Sequence, residues 1–340
     1  MTSSTTTGAS RAAAPPAPRA RTSARTSART SARTPARAGG AGSASRLDSR
    51  RQWWGWLFLT PFTVVFLLFL VVPLGYAFWL SLHTKGIATG GVSEFTGVAN
   101  YLRVFTDTDF LRGMLRVLLF VLVMVPIQVG LALAIALVLD TLATRLSKAS
   151  RLLVFVPYAI PAVIGALMWG FLYSPRFGPA ADVFGVFGLE APNFLDRDLV
   201  FGSLVNIVTW QWVGYYMIII YAALRAIDPS VYEAARLDGA SNRQIAWRIK
   251  VPMISSSMVM IVIFSLIGTL QFFTEPTVLR SVAQGAIPTT YTPNMYAYSM
   301  AFSYSQFNYA STIAFALGIL VFIGSYAFLY ATRKQSGLKS

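Results

Sequence analysis

Apolar residues in this sequence come in long runs separated by polar segments, not in the short patterned blocks of a globular core. A run of roughly 18 or more apolar residues crosses the hydrocarbon layer of a bilayer as a helix. Six such runs fall at 56–80, 117–139, 152–173, 199–224, 253–273 and 309–331. The pattern predicts an all-α membrane protein with six transmembrane helices. Trp53, Trp54 and Trp56 make an aromatic belt at the start of the first run, the depth that amphipathic rings favour. Pro126, Gln128, Pro157, Pro161, Asn206 and Gln211 interrupt the second to fourth runs. Such breaks are tolerated where neighbouring helices or a wet cavity satisfy the freed backbone groups.

Residues 1–50 read differently. Apart from Met1, Leu47 and Asp48 they are Ala, Arg, Ser, Thr, Pro and Gly, with a unit Arg21-Thr-Ser-Ala that recurs from Arg25, Arg29 and, as Arg-Thr-Pro-Ala, Arg33. So little apolar surface cannot offset the entropy of ordering, and the stretch is expected to be a disordered tail. The six-span body is expected at 51–335. The first 51 residues, the connections after the second and fourth runs and the C-terminus hold 21 Lys and Arg, against seven on the remaining connections. The positive-inside rule then puts both termini in the cytoplasm and closes six spans consistently.

Composition narrows the chemistry. Only 12% of residues are charged, against about 25% in soluble proteins. The net charge of +15 is concentrated in the tail and at the ends of the apolar runs, a distribution that suits orientation and anionic lipid rather than nucleic acid. With no cysteine and a single histidine, His83, thiolate and multi-histidine metal sites are ruled out. No cofactor is expected in this chain. It also lacks the Gly-x-x-x-x-Gly-Lys-[Ser/Thr] phosphate loop, so hydrolysis of ATP by that route needs another polypeptide.

The connection at 225–252 is the most informative segment. Asp228 is a good N-cap, and Pro229 suits the first helical position. Glu233, Ala234, Ala235, Arg236 and Leu237 favour helix, and Gly239 can take the left-handed conformation that stops one. Ser241 can cap a second short helix running to Ile249, before Pro252 begins the return to the membrane.

Glu233-Ala234-Ala235, then Gly239, Ile249 and Pro252, resembles the signature of permease subunits of binding-protein-dependent ABC importers. The form Glu233-Ala-Ala-Arg-Leu-Asp238-Gly239-Ala-Ser241 is similar to the carbohydrate-uptake branch, as is Phe155-Val-Pro157-Tyr-Ala-Ile-Pro161 with Trp169 and Phe177-Gly178. The likeness covers residues from 56 to 330. It implies a type I importer permease fold, in a bacterial cytoplasmic (inner) membrane. By resemblance, the loop forms coupling helices seated on an ATP-hydrolysing subunit, with Glu233 paired to an arginine there. The implied assembly holds a second, different permease, two ATP-binding subunits that carry ATP and Mg, and an extracytoplasmic solute-binding protein. Val251 replaces the leucine usual in the family, and Ala246, beside Trp247, replaces a bulky aromatic.

A mid-membrane sugar site needs stacking faces and hydrogen-bonding groups. Candidates for the substrate path are Asn206, Trp210, Gln211, Tyr215 and Gln271, with Trp212, Tyr216, Phe272, Phe273 and Glu275 nearby. Interfacial aromatics are the bland alternative, which Asn206 and Gln211 resist because polar groups inside spans face a cavity or a partner. The Tyr- and Asn-rich segment 281–308 fits either a docking surface for the binding protein or contact with the second permease. Two other readings stay open. One is a permease of this architecture for amino acids, peptides or phosphate. The other is an ion-coupled secondary transporter, which usually shows mid-span acids or inverted repeats. No Asp or Glu falls in the middle of a run.

Overall fold

The computed structural model describes residues 44–85, 93–141, 145–175 and 178–332. The arginine repeat at 21–36, Phe177 and the cations after residue 332 lie outside them. The chain divides into two compact units, Met1–Thr63 and Val64–Ser340. Helix α1 (Ala44–Phe66) begins before the tail boundary that composition suggests at residue 50. Its turns up to Thr63 expose Trp53, Trp56, Phe58 and Phe62. The hydroxyls of Thr60 and Thr63 donate to the carbonyls of Trp56 and Leu59, at 2.7 and 2.9 Å. Polar groups facing lipid must find such internal partners.

In the second unit a π-helical turn, Leu67–Val71, leads into α2 (Val72–Ser81). Pro73 lacks an N–H and would press on the carbonyl one turn back, and the wider turn before it accommodates both. A small antiparallel hairpin, β1 (His83–Lys85) and β2 (Ser93–Phe95), follows, with His83 opposite Phe95. After α3 (Ala99–Thr106) comes the longest helix, α4 (Thr108–Thr141), of 34 residues. At 1.5 Å per residue it runs about 51 Å. A hydrocarbon layer is about 30 Å thick, so the ends of α4 reach beyond it.

The third apolar run is not one straight span. It forms α5 (Arg145–Ala159) and α6 (Ala162–Leu172), and the segments Lys148–Ala159 and Ala162–Leu172 meet at 97°. Pro161 stands at the break with extended backbone, ψ 133°, where a missing N–H and ring bulk stop a helix. The described residues thus contain five helical spans plus this bent pair, six if the pair counts as one.

Beyond α7 (Pro179–Val186), helix α8 (Val200–Arg225) packs on both α4 and α5. The connecting loop holds α9 (Pro229–Leu237), α10 (Asn242–Gln244), a π-helical turn Ile245–Lys250 and α11 (Val251–Met253). The fifth span, α12 (Ser255–Leu270), breaks at Gln271 and continues as α13 (Thr274–Leu279). Then α14 (Pro293–Phe302) packs against α15 (Phe307–Thr332), which also lies on α2.

Two apolar cores bind these helices. One gathers Phe120, Leu204, Ile207, Phe272 and Ile287, with Phe120 stacked on Phe201 at 4.3 Å. The other joins α4, α8 and the start of α12 through Ala132, Ala136, Met217, Ile220 and Ile261. Lipid tails are as apolar as these side chains, so close packing rather than water exclusion holds such helices together. Gly214 shows how close. A Cβ built there would lie 2.7 Å from the Val154 carbonyl carbon and 2.9 Å from Phe155 Cα, so α8 meets the backbone of α5 directly.

Candidate functional site

A cavity of about 440 Å³ opens between α4, α8 and the α12–α13 break. Its aromatic wall comes from the bent span and from α8. Tyr158 stacks on Tyr215 with centroids 4.6 Å apart, and Trp212 meets Tyr158 edge-on at 5.3 Å. Facing them, Ser265 donates to Oε1 of Gln128 at 2.7 Å. Thr269, Gln271, Thr274 and Glu275 add to the polar lining. Flat ring faces beside hydroxyls, amides and a carboxyl suit a ligand with apolar faces and a hydroxyl rim.

The sequence-derived substrate path divides in two. Tyr215 and Gln271 line the cavity. Asn206, Trp210 and Gln211 do not. Asn206 donates to the Tyr173 hydroxyl at 2.7 Å, and Trp210 meets Trp169 edge-on at 5.8 Å, both toward α6. Gln211 is buried, and its Nε2 donates to the Ile160 carbonyl at 3.0 Å. That carbonyl sits at the broken turn of the third span, so Gln211 supplies a partner that the interrupted helix cannot. Helix rotation decides the outcome: residues 208, 212, 215 and 216 share the face that looks into the cavity.

Gln128 and Tyr158 complete the site without having been singled out for it. Gln128 reads in the sequence as a span interruption, and its polarity was the available signal. Glu275, which the sequence places beside the path, is drawn deeper than its position suggests. The break at Gln271 carries the fifth span on through α13, which buries Glu275 to 8% exposure inside the bundle. Among the described residues it makes no ion pair.

The loop after α8 is built as its local chemistry dictates. The Asp228 carboxylate accepts from Ser230 N at 2.9 Å and caps α9, which holds this exposed carboxyl below its usual range. Gly239 has φ +80° and ends the helix. Ser241 and Gln244 form a reciprocal capping box at α10, the arrangement that satisfies two orphan donors at once. The second helix continues to residue 250 with its last turns widened ahead of Pro252. Glu233, Ala234, Asp238, Gly239 and Pro252 are exposed, while Ala235 and Ile249 are half-buried. Leu237 is 90% exposed and Trp247 58%. Two large apolar side chains are thus displayed on a capped projection.

The segment 281–308 is less available than its composition suggests. Tyr291, Tyr296 and Asn308 are buried, whereas Tyr298 and Tyr304 stay exposed. Arg116 donates to the Tyr291 carbonyl at 2.7 Å and covers its ring. Tyr296 and Tyr309 both donate to Oδ2 of Asp107, at 2.8 and 2.6 Å. Burial pushes the Asp107 carboxyl up, but these hydroxyls and the N–H groups of Asp109 and Phe110 outweigh it and hold it low.

Comparison with known proteins agrees with this architecture. The lactose transport system permease LacF of Rhizobium radiobacter is 29% identical over 288 residues, 83% of this chain and 94% of that protein. The probable ABC transporter permease YurN of Bacillus subtilis strain 168 is 30% identical, over 76% of this chain and 89% of its own. A crystal structure of a bacterial alginate ABC transporter, in complex with its alginate pentasaccharide-bound periplasmic protein, contains a chain with the same fold. The TM-score is 0.75 at 20% identity, over 86% of this chain and 98% of that one. Residues 108–334 match a single family from the start of α4 to the end of α15. With its bent third span, its two-helix loop and this match, the chain belongs to the binding-protein-dependent transport system inner membrane components.

Proposed function

We propose that this chain is one permease subunit of an ATP-driven importer that carries a sugar or oligosaccharide through the cytoplasmic membrane by alternating access. Both termini and the loop 225–252 lie in the cytoplasm, a placement that the distribution of Lys and Arg supports. Glu233, Ala234, Ala235, Asp238 and Gly239 engage a separate ATP-binding subunit, and Ile249 and Pro252 fix the return to the membrane. ATP and Mg belong to that partner. A second permease, two ATP-binding subunits and an extracytoplasmic binding protein complete the assembly.

The observation that carries the proposal is that α8 reaches both places. Its Trp212 and Tyr215 form the cavity wall, and its C-terminal end at Arg225 runs into the loop that displays Leu237 and Glu233. A displacement of the loop therefore moves the aromatic wall. Tyr158 and Tyr215 offer ring faces to a pyranose, and Gln128, Gln271 and Glu275 accept or donate at its hydroxyls. The lactose and trehalose/maltose permeases among the relatives support a saccharide substrate over amino acids, and the sn-glycerol-3-phosphate permeases beside them extend the class to a phosphorylated polyol.

The test is affinity purification of the tagged chain from solubilised membranes, in native form and as Glu233→Ala and Gly239→Pro. Co-purification of an ATPase, a second permease and a sugar-binding protein, with the ATPase lost or reduced in the variants, is expected. Recovery of the chain alone, unaffected by either substitution, refutes the coupling role and favours a stand-alone transporter.

A further inference from the structure

The loop 225–252 is covalently joined to α8 and α12, yet its firmest polar tie runs to α4. Nζ of Lys250 lies 2.5 Å from Oδ2 of Asp140, the next-to-last residue of α4, with side chains only 11% and 6% exposed. The same ammonium stands 4.7 Å from the ring centroid of Tyr232, on α9. The Tyr232 hydroxyl turns to the Leu224 carbonyl of α8, at 3.4 Å. Lys250 thus ties the π-helical turn to α4 and α9, and Tyr232 extends the tie to α8. This is the one salt bridge among the described residues.

We propose that Asp140, Lys250 and Tyr232 form a positioning link that makes the two-helix loop move as one body with α4. Burying an ion pair forfeits hydration that an apolar pair would not, so its yield is a fixed geometry more than stability. The ring of Tyr232 adds a cation–π contact that holds the ammonium from the other side. Gln128 and Met124 of α4 face the cavity. Gln128 stands about 18 Å up the helix from Asp140, twelve residues at 1.5 Å each. Through the link, a push on the loop reaches the polar wall on α4 as well as the aromatic wall on α8. Both walls then shift together, which alternating access needs. This consequence rests on the coupling role proposed above; the mechanical link does not.

The chain has no cysteine of its own, so two introduced cysteines report one distance. Spin labels at Arg243 on the loop and Leu122 on α4, both exposed, are read in the purified full chain in lipid nanodiscs. A single narrow distance is expected. Asp140→Asn and Lys250→Gln each lose it and give a broad distribution, and the exchanged pair Asp140→Lys with Lys250→Asp recovers it. Tyr232→Leu, which keeps the ion pair, broadens the distance partially and serves if the charge variants do not fold. Unchanged distributions in the foldable variants overturn the link. A second reading uses the complex with its co-purified ATPase, trapped with ATP and vanadate. There the α4 label is expected to follow the loop in the native chain and to stay behind in Asp140→Asn; equal movement in both overturns a role in transmission. Absence of any co-purified ATPase refutes the coupling role instead, while the nanodisc distances still decide the link.

Discussion

Gly214→Ala adds one methyl group where α8 meets the backbone of α5. The new Cβ would stand 2.7 Å from the Val154 carbonyl carbon and 2.9 Å from Phe155 Cα, both backbone atoms. Neither can rotate away, and the Val154 carbonyl oxygen lies nearer still, so α5 and α8 must part by more than the 0.7 Å that would bring the carbonyl carbon alone to the 3.4 Å of ordinary contact. Overpacking of this kind costs about 1–3 kcal/mol. The parting also stretches the bond from Gln211 to Ile160, one turn along α8, worth about 1 kcal/mol. Less the roughly 1 kcal/mol that Ala gains over Gly in a helix, a net loss of about 1–3 kcal/mol is expected. Unfolding in SDS, followed by the fluorescence of Trp210 and Trp212 beside the contact, measures it. Gly202→Ala is the control, because a Cβ there meets nothing within 4 Å. It is expected to stabilise α8 by up to about 1 kcal/mol through helix propensity. Equal stability of the two variants would refute the backbone contact.

Gln211→Leu leaves the Ile160 carbonyl unpaired and is expected to cost about 1–3 kcal/mol in the same assay, without changing substrate selectivity. Asp107 tests the opposite end of the bundle. Its folded pKa lies below the ordinary value, so its contribution is full above the usual carboxylate range and disappears as pH falls through the lowered value. The native chain should lose more stability between neutral pH and about pH 3 than Asp107→Asn does, and parallel pH profiles would count against the tyrosine cluster. In proteoliposomes holding the complete importer, Tyr215→Ala and Glu275→Gln should each reduce uptake, while Asn206→Ala, directed at α6, should leave it near native; the reverse pattern would displace the site from the cavity. Gly239→Ala must hold φ +80° with a side chain, at about 1–2 kcal/mol, seen as lower helicity of the loop by hydrogen exchange.

Much of this protein is local and therefore legible in one dimension. Span number follows from runs of apolar residues, since a helix in lipid closes its own hydrogen bonds whatever surrounds it. The caps at Asp228 and Ser241 and the stop at Gly239 depend on residues within four positions of each other. Membership in the importer family was readable from Glu233-Ala-Ala to Pro252 for the same reason. Tertiary structure decided the rest. Pro157 and Pro161 announce a weak point in the third span, but the 97° bend is set by what α6 and α8 pack against. Polarity marked Gln128 and Gln211 alike, yet one faces the cavity and the other mends the bend. Trp210 and Tyr215 differ by little more than one turn and serve different faces. Lys250 and Asp140 are 110 positions apart. Which way a helix turns about its own axis is fixed by neighbours from distant sequence, and a side chain's partner follows from that rotation, not from its type.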